Sequence, residues 1–186
     1  MGALVYSALA SLDGYTVDES GGFAWAEPRP AVHRFINESE ASVATFLYGR
    51  RMYETMSGWD TEYDLAKEFA FIRDFQSHWQ AADKIVYSRT LPSVRTRRTR
   101  LEREFDPIAV AALVRESEQD VSIGGPGLAA LALDAGIVDE IRWFVLPVTV
   151  GGGTTFLPRG LRLELDLREE RRFADGTVYL RYAVRR

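Results

Sequence analysis

The run Val121-Ser122-Ile123-Gly124-Gly125-Pro126-Gly127 joins a short β-branched strand directly to a helix start. Such a junction suits an anion. The first-turn amides have no partner within the helix, its dipole favours negative charge, and glycines let a ligand reach the backbone. The plainer reading of the same residues is a tight strand-to-helix turn with no ligand. Gly125-Pro126-Gly127-Leu128-Ala129-Ala130 also matches the G-x-G-x-x-A dinucleotide fingerprint formally. A doubly wound dinucleotide fold, however, carries that turn after its first strand and an acid at the end of the next. Here the following strand ends Val145-Leu146-Pro147 without an acid, so that architecture is rejected.

The elements that must position this turn alternate between strand and helix signals. Residues 3–10, 43–48, 84–88, 121–123 and 140–149 read as apolar strands. Helices are predicted over 31–41, 63–81 and 128–135, the last stopped by Gly136, with one or two helical turns over 51–56. In 63–81 the apolar residues Leu65, Phe69, Ile72, Phe75 and Trp79 recur every three or four positions. Asp106-Pro107 supplies an N-cap and a first-turn proline for a helix running to about residue 117. Residues 161–173 and 177–184 read as strands joined at Asp175-Gly176, a good hairpin turn. Residues 11–29 form a long loop carrying Phe23 and Trp25, of the kind that serves as a lid or binding loop. Helices between the early strands imply parallel pairing, and the terminal hairpin adds antiparallel edge strands. The expected fold is therefore α/β, with a central mixed sheet flanked by helices.

A length of 186 residues fits one domain, spanning 1–186. The absence of cysteine excludes disulfides, thiolate metal sites and cysteine nucleophiles. Two histidines, His33 and His78, lack paired-ligand spacing, so no metal is expected. No basic leader precedes an apolar stretch and no apolar run reaches transmembrane length, which predicts a soluble, cytoplasmic chain that does not act at a membrane. The net charge of -4 argues against a nucleic-acid partner. One basic run, Arg95-Thr96-Arg97-Arg98-Thr99-Arg100-Leu101-Glu102-Arg103, is broken by Glu102 and has no interleaved aromatics. It reads as a solvated strand or loop.

Five motifs occur in a particular order. They are Ser11-Leu12-Asp13-Gly14, then Leu47-Tyr48-Gly49-Arg50-Arg51-Met52-Tyr53-Glu54, then Val86-Tyr87-Ser88-Arg89-Thr90-Leu91. Ile123-Gly124-Gly125 follows, and last comes Val138-Asp139-Glu140-Ile141 leading to Pro147-Val148-Thr149-Val150-Gly151-Gly152-Gly153. With these motifs, covering nearly the whole chain, the sequence resembles the dihydrofolate reductase-like fold. In particular it resembles the C-terminal reductase domain of bifunctional riboflavin-biosynthesis deaminase/reductases.

The resemblance implies a single NADPH site. Gly49, Arg50 and Arg51 would lie against the cofactor phosphates, and Ser88-Arg89 would meet the ribose 2′-phosphate, a dianion suited to the planar fork of arginine. Gly124, Gly125, Pro126 and Gly127 would pass beside the nicotinamide and pyrophosphate, and some arginines of the 95–103 run can extend the positive field at the adenosine end. Asp13 matches an acidic residue that faces the substrate pocket. There it would orient a substrate N–H or help deliver a proton, unless it is an ordinary Asp-Gly turn residue. Phe23 and Trp25 would close over nicotinamide and substrate, or simply pin the loop; Trp59 carries the same alternatives. His33, on the first helix, would line the pocket, unless it is a surface or satisfied histidine.

Departures matter too. Residues 31–35 lack the pterin-binding acid of true dihydrofolate reductases, Tyr15 stands where riboflavin-pathway reductases commonly carry a basic residue, and Ile123 stands where they often carry glutamate. No zinc deaminase signature is present. The expectation is an NADPH-dependent reductase acting on a small heterocyclic or carbonyl substrate, pterin- or pyrimidine-like, with a homodimer implied by the resemblance. The alternative is a non-catalytic NADP-binding or sensor domain on the same fold.

Overall fold

A computed structural model describes residues 2–61 and 64–185. Its centre is an eight-stranded sheet built from β1 (Leu4–Ser11), β3 (Val43–Gly49), β4 (Asp83–Tyr87), β5 (Thr99–Glu102), β6 (Asp120–Gly124), β7 (Glu140–Leu146), β9 (Leu165–Arg172) and β10 (Val178–Val184). The spatial order is β5-β4-β3-β6-β1-β7-β10-β9. Neighbours from β5 through β7 are parallel, whereas β10 is antiparallel to both β7 and β9. Two short strands, β2 (Tyr15–Val17) and β8 (Thr154–Thr155), form a separate antiparallel pair.

Leu4, Val5 and Tyr6 are all fully buried, as a central strand covered on both faces requires. One face is covered by α5 (Pro107–Glu116) and α6 (Pro126–Asp134), whose Val110, Leu128 and Leu133 pack on Leu47, Ile85 and Ile123. The other face is covered by α2 (Arg50–Met56) and α4 (Ala70–Ala81), through Tyr53 and Trp79 packed on Tyr48 and Val86. On that side α1 (Pro30–Glu40) sets Val32 and Phe35 against Phe144 and Tyr179. The helix signals act locally. The Asp106 carboxylate accepts from Ile108 N at 2.9 Å, capping α5. Beyond α6, Gly136 takes φ 66 while its own N–H donates to Leu133 O and that of Ile137 to Ala132 O, closing a Schellman motif.

Four sequence expectations change. The loop expected over 11–29 contains a strand, β2 at Tyr15–Val17, which pairs with β8. Residues 63–81 do not form one helix: α3 (Asp64–Glu68) and α4 are separated at Phe69, which is extended at φ -119, ψ 119, and Tyr63 lies outside the described residues. The apolar spacing runs through the break, but Leu65 and Phe69 stay exposed and the buried stripe begins at Ile72. The strand expected over 140–149 stops at Leu146, because Pro147 has no N–H to offer and Val148 N turns back to Leu146 O. The strand expected over 161–173 is confined to Leu165–Arg172.

Lys84 is buried to 1% exposure although it carries a charge. Its Nζ donates to Trp79 O and Ala82 O, both at 3.0 Å, and sits 4.2 Å from the Trp79 ring centre. Those carbonyls belong to the end of α4, where helical acceptors lack partners, so the ammonium acts as the helix cap. Burial pulls its pKa from 10.5 down to about 8. In the interval between, the unfolded chain binds a proton that the folded chain has released, so stability should rise with pH from about 8 towards 10. Above about 10 the sign reverses, because burial pushes Tyr87 and Tyr179 up to about 12 and the unfolded tyrosines ionise first. Urea midpoints measured across pH 7–11 should show this maximum, and Lys84→Met should abolish the rising limb.

Candidate active site

Because β4, β3, β6, β1 and β7 are parallel, their carboxyl ends share one edge of the sheet. The chain travels from β1 outward through β3, β4 and β5, then returns to β6 and passes outward again to β7 on the other side. Crossovers therefore leave the centre in opposite directions, so the carboxyl ends of β6 and β1, where they part, form the switch point of the sheet. Asp13, Gly49, Arg50, Arg51, Ser88, Arg89 and Gly124–Gly127 lie on this edge or in the loops leaving it.

At the middle of the edge, Tyr48 of β3 stands opposite Gly124 of β6. A methyl group on Gly124 would fall 2.8 Å from Tyr48 Cε1 and 3.3 Å from Met52 Cγ, so only glycine fits. Gly125 then turns at φ 91, left-handed backbone that a side chain would strain, and Pro126 opens α6 at its first position. No side chain caps α6, leaving its first-turn amides for another acceptor. Gly127 is exposed and has nothing within 4 Å of its missing Cβ, and Gly49 would meet only Leu128 Cβ at 3.8 Å. The fold itself does not require glycine at either position.

Arg50 and Arg51 are exposed at the start of α2. Arg50 Nε donates to Glu54 at 2.8 Å, and its Nη1 donates to Thr90 Oγ1 at 3.2 Å. That contact joins the turn after β3 to the turn after β4. In the latter, Ser88 is buried and its hydroxyl oxygen accepts from Thr90 N at 3.3 Å and Leu91 N at 3.0 Å, while Arg89 and Thr90 are exposed. The structure thus brings Arg50 to the Ser88–Arg89 turn. Thr90 lay within a motif of the sequence but had no role assigned; its signal is the hydroxyl next to Arg89.

The other end of the edge is a joint platform of two loops. Leu12 N donates to Val148 O at 2.8 Å, Phe156 N to Gly14 O at 2.8 Å, and Tyr6 OH to Phe156 O at 2.8 Å. Asp13 ties the same loops together, accepting from Gly151 N at 2.8 Å and from Val150 N at 3.2 Å. The Ser11 hydroxyl first, and then these amides, hold the Asp13 carboxyl below the usual carboxylate range. The two amides are partners of Asp13 that sequence reasoning missed, since any residue type supplies them.

The loop over 18–29 is organised by Asp18, which accepts from Ser20 N and Gly22 N at 2.9 Å each. It then forms a single 3-10 turn, Ala24–Ala26, lying against β1, with Phe23 exposed at 49% and Trp25 partly buried. Trp59 is partly buried and packs edge-on to Phe75 of α4 at 4.8 Å, against the core on that face. His33 is not at the surface. It is buried against Phe71 and Phe75, and burial lowers its pKa. The basic run also has a structure: its second half is β5, and Arg97, Arg98 and Arg100 pair with Asp60, Asp83 and Glu102. Their charge is compensated locally. Among the described residues no helix is long and apolar enough to cross a membrane.

Comparison with known proteins agrees with this architecture. An uncharacterized protein of Bacillus subtilis, YyaP, is 25% identical over 192 residues, covering 96% of this chain and 93% of that protein. The crystal structure of a putative riboflavin biosynthesis protein from Shewanella superposes with a TM-score of 0.74 at 18% identity, covering 99% of both chains. A dihydrofolate reductase from Enterococcus faecalis, solved with NADP(H), superposes with a TM-score of 0.63 at 16% identity over 100% of this chain and 98% of its own. The fold is dihydrofolate reductase-like. Residues 3–179 match the RibD C-terminal domain, and the chain belongs to that family of reductase domains.

Proposed function

We propose that this protein is an NADPH-dependent oxidoreductase whose substrate is a small heterocycle of the pyrimidine or pterin class, acting in the cytoplasm. The observation that carries the reading is the meeting of Arg50 with the Ser88–Thr90 turn, beside an α6 start that no side chain caps. Arginine donors, a hydroxyl and free amides then line one edge, which is the chemistry that recognises a phosphorylated dinucleotide. Glycine at 49 and 127, where the protein has room for a side chain, suits a ligand that passes close to the backbone. Family membership favours a pyrimidine-like substrate.

When bound, the nicotinamide supplies the hydride, and the protein supplies position and electrostatics. Arg50, Arg51 and Arg89 hold the phosphates, the buried Ser88 hydroxyl orders the turn that presents Arg89, and the Gly124–Gly127 turn carries the pyrophosphate end. Phe23 and Trp25 cover the reacting end and exclude water. Asp13, held as a carboxylate, accepts and orients; a carboxyl held that low is a poor proton donor at neutral pH.

Fluorescence titration tests the cofactor assignment. NADPH should bind more tightly than NADH by roughly ten- to a hundredfold, the worth of about 1.5–3 kcal/mol for a charge-assisted phosphate contact. Equal affinities would sink it. Oxidation of NADPH with a member of a pyrimidine and pterin panel would separate an enzyme from a non-catalytic NADP-binding domain.

A further inference from the structure

Among the described residues, the guanidinium groups of Arg97, Arg98, Arg100 and Arg103 have partners of two kinds. Arg97, Arg98 and Arg100 meet carboxylates at 3.3, 2.9 and 3.2 Å. Arg103, in the residue after β5, turns instead to backbone carbonyls. Its Nη1 donates to Ser88 O at 3.1 Å and to Leu91 O at 2.6 Å, and its Nη2 reaches Pro92 O at 3.5 Å. One guanidinium therefore spans both ends of the Ser88–Leu91 turn. The planar fork matters here, because a single ammonium cannot reach the same carbonyls in fixed directions.

The turn is held from three sides. Inside it, the Ser88 hydroxyl accepts from Thr90 N and Leu91 N. Beneath it, the Leu91 side chain is buried in the core with Val86 and Trp79. Outside it, Arg103 bridges the carbonyls. Ser88 N is also bonded to Glu102 O at 2.9 Å, so β5 delivers Arg103 to the turn in a fixed register. What remains exposed is Arg89 and Thr90, the latter bonded to Arg50.

We propose that Arg103 is a positioning residue that sets the preference for a phosphorylated over an unphosphorylated nicotinamide dinucleotide, by holding the Ser88–Leu91 turn in its binding shape. The inference rests on the reading of this turn as the seat of the 2′-phosphate. A turn already ordered before binding spares the ligand the cost of ordering it, and that saving falls only on the ligand that carries the phosphate. The guanidinium acts through the turn and need not touch the ligand.

The test compares wild type, Arg103→Met and Arg103→Lys in three measurements: titration with NADPH, titration with NADH, and amide hydrogen exchange at Thr90 and Leu91 without cofactor. In both variants exchange at these amides should speed up, NADPH affinity should fall roughly tenfold, and NADH affinity should stay within about twofold. Lysine should not rescue, because it keeps the charge and loses the fork. Full NADPH preference in Arg103→Met, equal loss for both cofactors, or unchanged exchange would each overturn the inference while leaving the cofactor assignment standing. Rescue by Arg103→Lys would overturn the clamp in favour of simple charge. Wild type binding NADPH and NADH equally would instead remove the reading on which the inference stands, and the inference with it.

Discussion

Gly124→Ala should lose both stability and cofactor affinity. The added methyl would lie 2.8 and 2.9 Å from two ring carbons of Tyr48. That ring has little room to yield: it is 2% exposed, stacked on Phe46 at 5.7 Å, and its hydroxyl accepts from Trp79 Nε1 at 3.1 Å. Overpacking of this kind costs about 1–3 kcal/mol, and each kcal/mol lowers the melting temperature of a domain this size by about 2–4 °C. Relief by moving the β6–α6 junction would displace the α6 amides, so NADPH affinity should fall by tenfold or more. Gly127→Ala is the control with opposed signs. Its methyl meets no protein atom within 4 Å, and alanine in place of glycine in a helix is worth up to about 1 kcal/mol. Melting temperature should therefore rise while NADPH affinity falls. Unweakened binding by Gly127→Ala would remove the first turn of α6 from the cofactor site.

The features legible in the sequence are those whose causes are local. Asp106-Pro107, Gly136 and Asp175-Gly176 each act within a few residues, and each does what its chemistry dictates. The Gly124-Gly125 turn was visible for the same reason. The 63–81 stretch failed because periodicity reports a stripe without reporting what the stripe meets; Leu65 and Phe69 keep the spacing and remain exposed. Strand order was not readable at all, since β6 enters the sheet between β3 and β1, far from both in sequence. The basic run shows the same limit from the side of charge. Its partners Asp60 and Asp83 lie well before it in the chain, and the Arg103 partners are carbonyls, which no side-chain pattern announces. Asp13 was singled out by its motif, but the groups it serves are amides of a loop 137 and 138 residues away.

Asp13→Asn should reduce turnover while leaving NADPH affinity nearly unchanged. Both carboxylate oxygens accept from the Val150–Gly151 backbone, Val150 N at 3.2 Å from each and Gly151 N at 2.8 Å from Oδ2. Asparagine keeps one acceptor and turns a donor towards whichever amide it cannot serve. The 147–153 loop must then shift against the end of β1, where the proposed function puts the substrate. A displacement of about 1 Å in a positioning element can cost on the order of a hundredfold in rate, so a fall of about ten- to a hundredfold is expected. On the proposed reading the phosphate contacts belong to the ends of β3, β4 and β6, away from Asp13, so cofactor binding should hold. The pH profile separates orientation from proton donation. Hydrogen bonds hold Asp13 ionised to below the usual carboxylate range, so it should contribute no pH dependence near neutrality. A proton donor would need the opposite shift, and its loss as pH rises would appear as a falling limb near neutral pH. A wild-type limb of that kind, absent in Asp13→Asn, would return Asp13 to acid catalysis. Unchanged turnover with a lowered melting temperature would reduce it to a turn residue.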